Sequence, residues 1–145
     1  MQRVVSESLG RTEAFAKEFM DSLQSKENGA TVVCLKGDLG SGKTTFVQFV
    51  AELLGVKGMI TSPTFVIEKI YDTEDARFTK LVHIDAYRLK GGQELKTLRW
   101  DDMVGDPKHI IFIEWPEHVA DILPSDVHRL SFTFIDDATR EIVRE

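Results

Sequence analysis

The chain has 145 residues, 42% of them hydrophobic, which suits one domain spanning 1–145 and leaves little room for a separate substrate domain. Its 18 basic and 24 acidic side chains give a net charge of −6, which argues against a chain that grips nucleic acid directly, because that task calls for a basic face. A single cysteine excludes a disulfide framework, and no apolar run approaches membrane-spanning length.

Arg3-Val4-Val5 reads as a short edge strand. Residues 1–10 carry neither the basic region nor the apolar core of a secretion signal, so a cytoplasmic location away from membranes is expected. Across 12–23, Phe15, Phe19, Met20 and Leu23 recur at helical spacing and predict an amphipathic helix. Asn28-Gly29 marks a turn. Residues 31–36 form an apolar strand in which Cys34 packs like a small hydrophobe.

Directly after that strand comes Gly37-Asp38-Leu39-Gly40-Ser41-Gly42-Lys43-Thr44, a complete G-x-x-x-x-G-K-[ST] phosphate-binding loop. Glycines at 37, 40 and 42 let successive N–H groups turn toward an anion. Lys43 offers a point charge to β- and γ-phosphates, Thr44 a hydroxyl to Mg²⁺, and the helix opening at Lys43 its positive end. Binding of a nucleoside triphosphate is therefore expected. The helix carries Phe46, Val47, Phe49, Val50, Leu53 and Leu54 and stops at Gly55.

Thr61-Ser62-Pro63-Thr64 reads either as a plain turn or as a hydroxyl-rich switch loop ordered by a γ-phosphate. A strand is predicted over 64–71, with Phe65, Ile67 and Ile70 giving apolar surface. The polar connector 72–77 is short enough to make it an antiparallel hairpin with a strand at 78–84. Residues 93–100 predict a modest helix, and 109–113 a strand buried on both faces. Pro116 opens a short helix ending before Pro124. The alternation of Leu130, Phe132 and Phe134 over 128–135 marks a half-buried strand that turns at 136–139 into a last short one. The sum is an α/β domain with a mixed sheet.

Two strands run into acids: Leu81-Val82-His83-Ile84 into Asp85, and Ile110-Ile111-Phe112-Ile113 into Glu114. Both carboxylates then sit at the edge where α/β sheets place ligands. One would hold Mg²⁺ directly or through water, and the other would orient an attacking water; spacing does not say which does which. His83 reads as a hydrogen-bonded, half-core residue on the face of Asp85. Arg88 reads as an ion-pair partner or as a charge stabiliser during phosphoryl transfer. Trp115 either covers the site or packs.

Four segments, 37–45, Ser62-Pro63-Thr64-Phe65, His83-Ile84-Asp85-Ala86-Tyr87-Arg88-Leu89 and Ile113-Glu114-Trp115-Pro116-Glu117, resemble in order and spacing the bacterial TsaE (YjeE) family. The resemblance covers essentially the whole chain. It implies a single-domain P-loop NTPase fold with a mixed, mostly parallel sheet flanked by helices. It also implies an ATP- and Mg²⁺-dependent ATPase needed to place threonylcarbamoyl on the adenosine beside the anticodon of ANN-decoding tRNAs. Family partners are TsaB and TsaD, which transfer a threonylcarbamoyl adenylate made by TsaC; tRNA is met only through that complex.

On matching positions, the resemblance makes Asp38, Leu39, Gly40, Ser41, Gly42, Lys43, Thr44 and Thr45 the phosphate and metal contacts. Glu114 resembles the acidic metal ligand, Asp85 stands at the Walker B-like aspartate, and Thr61, Ser62, Pro63 and Thr64 form the switch-like loop. Further nucleotide contacts fall near Leu9 and at Asp137-Ala138. The loop centre is Gly-Ser-Gly-Lys where the family has Gly-Ala-Gly-Lys, a harmless change. The stretch after Arg88 departs from the family pattern, and no role is carried over to it. Without a clear arginine finger in the chain, slow hydrolysis accelerated by partners is expected. A small-molecule kinase would need a basic lid, and residues 86–108 hold only scattered cations. A GTP switch would need Asn-Lys-x-Asp, which does not occur.

Overall fold

The computed structural model describes residues 1–58, 60–63 and 66–145. In chain order the elements are β1 (Gln2–Ser6), α1 (Leu9–Asp21), β2 (Thr31–Lys36), α2 (Lys43–Leu53), β3 (Glu68–Asp72), β4 (Lys80–Asp85), α3 (Gln93–Lys96), α4 (Trp100–Val104) and β5 (His109–Glu114). A 3₁₀ segment (Pro116–Ile122), β6 (His128–Asp136) and β7 (Thr139–Arg144) follow. The described strands form one sheet in the order β1-β7-β6-β2-β5-β4-β3. Its centre, β6-β2-β5-β4, is parallel, while β3 at one edge and the β7-β1 pair at the other run antiparallel. This is the mixed α/β P-loop architecture the sequence predicts.

Alternation along the central strands gives each sheet face its own core. Val33, Leu35, Leu81 and Phe112 pack under α1 and α2, whereas Val32, Cys34, Ile84 and Ile113 pack under Leu95, Trp100 and Met103 of the two short helices. Phe46, in the first turns of α2, is fully buried among the rings of Phe15, Phe19, Phe112 and Phe132, with centroids 5.5–6.4 Å away. Burying one such side chain is worth ~1.5–3 kcal/mol, and aromatic pairing adds to it. The hub thus anchors the helix end that carries the glycine loop. Gly37 is indispensable to the same corner: at φ +153°, a Cβ there would meet the Phe132 carbonyl oxygen at 2.5 Å.

Several boundaries move for identifiable reasons. Helix α1 starts at Leu9, not at residue 12, because the Ser8 hydroxyl accepts the Arg11 N–H at 3.1 Å and caps the helix there. Strand β3 begins only at Glu68, since Ile67 sits in the left-handed region at φ +68° and the Pro63 carbonyl accepts the N–H groups of Val66 and Ile67. Residues Thr64 and Phe65, given to that strand by the sequence, lie outside the described residues. Ile70 is exposed and adds nothing to the core. The helix expected at 93–100 is two short helices, broken where Arg99 takes φ +65°. On β6, Leu130 and Phe132 are buried, but Phe134 lies out of the core with the Arg140 guanidinium 4.6 Å from its ring centroid. Among the described residues no helix is long and apolar enough to cross a membrane.

The β3–β4 hairpin is stapled to the C-terminus of α1 by Arg77. Its Nη1 donates to the Met20 and Leu23 carbonyls at 2.7 and 2.9 Å, while Nη2 meets Asp75 at 3.0 Å. Burial pushes the Asp75 carboxyl up, but the hydrogen bonds from Arg77 and from the Arg77 and Phe78 N–H groups outweigh it and hold the pKa below 3.8. A depressed folded-state pKa stabilises fully above the unfolded value and is lost as pH falls through the folded one. Arg77→Ala should therefore lower stability at neutral pH by ~1.5–3 kcal/mol in urea unfolding, the range for bonds to a charged group. The gap to wild type should narrow, without closing, below about pH 4, because the two carbonyl contacts do not titrate.

Candidate functional site

The register of the parallel strands builds the site. Asp85 and Glu114 end β4 and β5 and are direct register partners, while β5 lies between β4 and the loop-bearing strand β2. The alternation that buries Leu81 and Phe112 on the α2 face turns His83, Asp85 and Glu114 to that same face. Glu114, on the strand beside β2, is the acid nearest the loop: its Oε2 accepts the Thr44 hydroxyl at 3.1 Å. His83 Nε2 lies 2.6 Å from the same Oε2. Asp85 Oδ1 accepts the Tyr87 N–H at 2.9 Å, and the Asp85 N–H donates to the Ile67 carbonyl at 2.8 Å. Both acids are buried, Asp85 8% and Glu114 5% exposed.

Helix α2 opens at Gly42, whose φ of +101° only glycine adopts comfortably, and among the described residues no side chain caps it. Its first N–H groups and its dipole therefore face the loop's concavity. Lys43 is 4% exposed; its ammonium donates to the Gly37 carbonyl and lies 4.1 Å from the Trp115 ring centroid. Burial pulls the Lys43 pKa below its ordinary 10.5, while the carboxylates of Glu114 and Asp85, then Glu117 and Asp38, push it back up. Trp115 holds φ +58°, a conformation costing a bulky residue ~1–3 kcal/mol, and its ring packs 5.1 Å from that of Tyr87. It both packs and roofs the lysine.

Two cavities meet at the loop. One, of about 250 Å³, is lined by Leu39 through Thr45 together with Ser62, Asp85, Glu114 and Trp115. The second, of about 280 Å³, opens beside it between α1 and the β6–β7 turn, with Leu9, Thr12, Asp137, Ala138 and Ile142 on its walls. Ser41, Gly42, Thr45 and Arg140 line both. The Ser41 hydroxyl oxygen is buried there without a hydrogen-bond partner among the described residues. An uncapped helix end, an orphaned hydroxyl and a buried lysine are groups that could together hold a polyanion.

Of the residues singled out by sequence, 39–45, Ser62, Asp85 and Glu114 converge on one cavity, and Leu9 and Ala138 on its neighbour. Asp38 stands on the loop's shoulder, where its carbonyl accepts the Ser41 N–H at 3.2 Å, and lines neither cavity. Thr61 accepts from Lys69, Pro63 anchors the following turn, and Thr64 lies outside the described residues. His83 is fully buried, not half-core. Sequence reasoning missed Arg140, which the β6–β7 turn carries back to the loop. Its position just past Asp137-Ala138 was the available signal. Among the described residues no three His, Cys, Asp or Glu side chains cluster as a metal cage. The Thr44 hydroxyl and one or two carboxylates instead suit Mg²⁺, which takes its other ligands from water and phosphate oxygens.

The family model for threonylcarbamoyl adenosine biosynthesis protein TsaE matches residues 6–142. A tRNA threonylcarbamoyladenosine biosynthesis protein TsaE from Aquifex aeolicus is 33% identical over 98% of this chain and 94% of its own length. The Streptomyces coelicolor protein of that name is 43% identical over 68% of this chain, which spans 66% of that relative. Among solved structures, the crystal structure of Bacillus subtilis YdiB superposes with a TM-score of 0.70 at 28% identity, covering 99% of this chain and 83% of that one. The chain belongs to the TsaE family of tRNA threonylcarbamoyladenosine biosynthesis.

Proposed function

We propose that this protein is a Mg²⁺-dependent ATPase that works with TsaB and TsaD, its hydrolysis cycling that complex while threonylcarbamoyl is placed on tRNA. The observation that carries the reading is the Thr44–Glu114 hydrogen bond, which joins the loop hydroxyl to a buried carboxylate on the adjacent strand. Loop N–H groups and Lys43 would hold β- and γ-phosphates. Thr44 and Glu114 would hold the metal, and Asp85, one strand farther out, would orient water. What the metal supplies when bound is neutralisation of charge on the phosphate oxygens. The neighbouring cavity, with Leu9, Ala138 and Ile142 on its walls, gives a base an apolar rest continuous with the loop.

The kinase alternative loses support from the fold. The segment such an enzyme would use as a lid instead packs through Leu95, Trp100 and Met103 beneath the sheet face opposite α2. Nor does the net charge of −6 suit a protein that holds tRNA by itself, which favours contact through the partners. The tRNA pathway of the family favours a cytoplasmic setting.

Lys43→Ala should lower ATP turnover by ~10²–10³, the loss typical of removing one transition-state donor, in a phosphate-release assay. ATP, and not GTP, should displace a labelled adenosine nucleotide from the wild-type chain. Adding TsaB and TsaD should raise turnover at least about tenfold, since groups supplied in trans give up to ~10⁵ in related phosphoryl transfers. Equal turnover with and without the partners contradicts the cycling role, and hydrolysis that survives Lys43→Ala contradicts the site.

A further inference from the structure

His83 is the polar member of the acid cluster to which the chemistry above gives no task. It lies on β4 two residues before Asp85, is 0% exposed, and is flanked in register by Lys69 of β3 and Phe112 of β5. Its Nε2 is 2.6 Å from Glu114 Oε2, the same oxygen that takes the Thr44 hydroxyl at 3.1 Å. Its Nδ1 is buried and without a hydrogen-bond partner among the described residues.

These contacts assign the tautomer. A proton on Nδ1 would bury an unpaired N–H and set a bare Nε2 lone pair against a carboxylate oxygen. A proton on Nε2 leaves only an unpaired acceptor at Nδ1, the smaller cost.

We propose that His83 is a positioning residue whose Nε2–H clamps Glu114 Oε2 and keeps that carboxylate aimed at the loop when the Thr44 hydroxyl turns to another partner. The proposal rests on the reading of Glu114 as the metal-side acid. A glutamate at a strand end has rotamers to lose, worth up to ~2 kcal/mol, and one threonine contact is a weak restraint on it. A ring held on a central strand and packed on both sides is a rigid one. Buried second partners of this kind characteristically orient the ligands they touch.

The test titrates Mg²⁺ against ATP binding for wild type, His83→Gln, His83→Asn and His83→Leu. The glutamine amide reaches the place of Nε2; the asparagine amide reaches only that of Nδ1. Asn and Leu should weaken the Mg²⁺ dependence by ~10–100-fold while leaving Mg²⁺-free ATP binding unchanged, and Gln should retain most of it. Wild-type Mg²⁺ dependence in the Asn or Leu variant, or a Gln variant as impaired as Asn, overturns the proposal. If the Leu variant fails to fold, the Gln–Asn pair decides. Ring-nitrogen NMR of the wild-type chain, which needs neither metal nor nucleotide, must find a proton on Nε2; a ring bare at Nε2 overturns the clamp. A wild type that binds no Mg²⁺ and ATP together would instead defeat the functional reading and leave the NMR result to judge the contact.

Discussion

The hydrogen bond from Thr44 to Glu114 depends on the register between the loop-bearing strand β2 and its parallel neighbour β5. Strands β2, β5 and β4 lie side by side; Asp85 and Glu114 end together, and Leu35, the residue before the last of β2, is in register with Glu114. A slip of one residue in β5 would turn Glu114 to the opposite face and replace it with an isoleucine or a tryptophan. Register is held by burial: every residue from 110 to 113 is fully buried, with two packing on each side. On the helix side, the aromatic hub around Phe46 fixes where α2 begins, and so where Thr44 stands.

Charge at the site is arranged around a buried cation. Lys43 is taken out of water, which weakens its hold on a proton, and two buried carboxylates work against that loss. The balance suits a group that must stay charged and yet be ready to exchange a backbone carbonyl for a stronger anion. Trp115 completes the arrangement, its strained backbone placing an aromatic face against the ammonium. Strain retained next to chemistry is where a functional protein is expected to keep it.

The glycine loop, the strands at 31–36 and 109–113 and the acids at two strand ends were all legible, because each is a local pattern of composition and period. The register pairing of Asp85 with Glu114 was legible only as a shared edge. What sequence could not show were backbone exceptions and distant partners. Ile67 and Arg99 adopt left-handed conformations that no propensity favours, and they shortened a strand and split a helix. His83 meets Glu114 across 31 positions of chain, so its spacing to Asp85 hinted at a face but not at a partner. Arg140 reaches the loop only through the turn between the last two strands. Phe134 kept the alternation but ran past the end of the core.

The most direct measurement is a crystal structure of the chain with Mg²⁺ and a non-hydrolysable ATP analogue. The account places the triphosphate within residues 37–44, the metal beside Thr44 and Glu114, and the base in the cavity bounded by Leu9 and Ala138. A triphosphate bound elsewhere, or a metal remote from both Asp85 and Glu114, would contradict it.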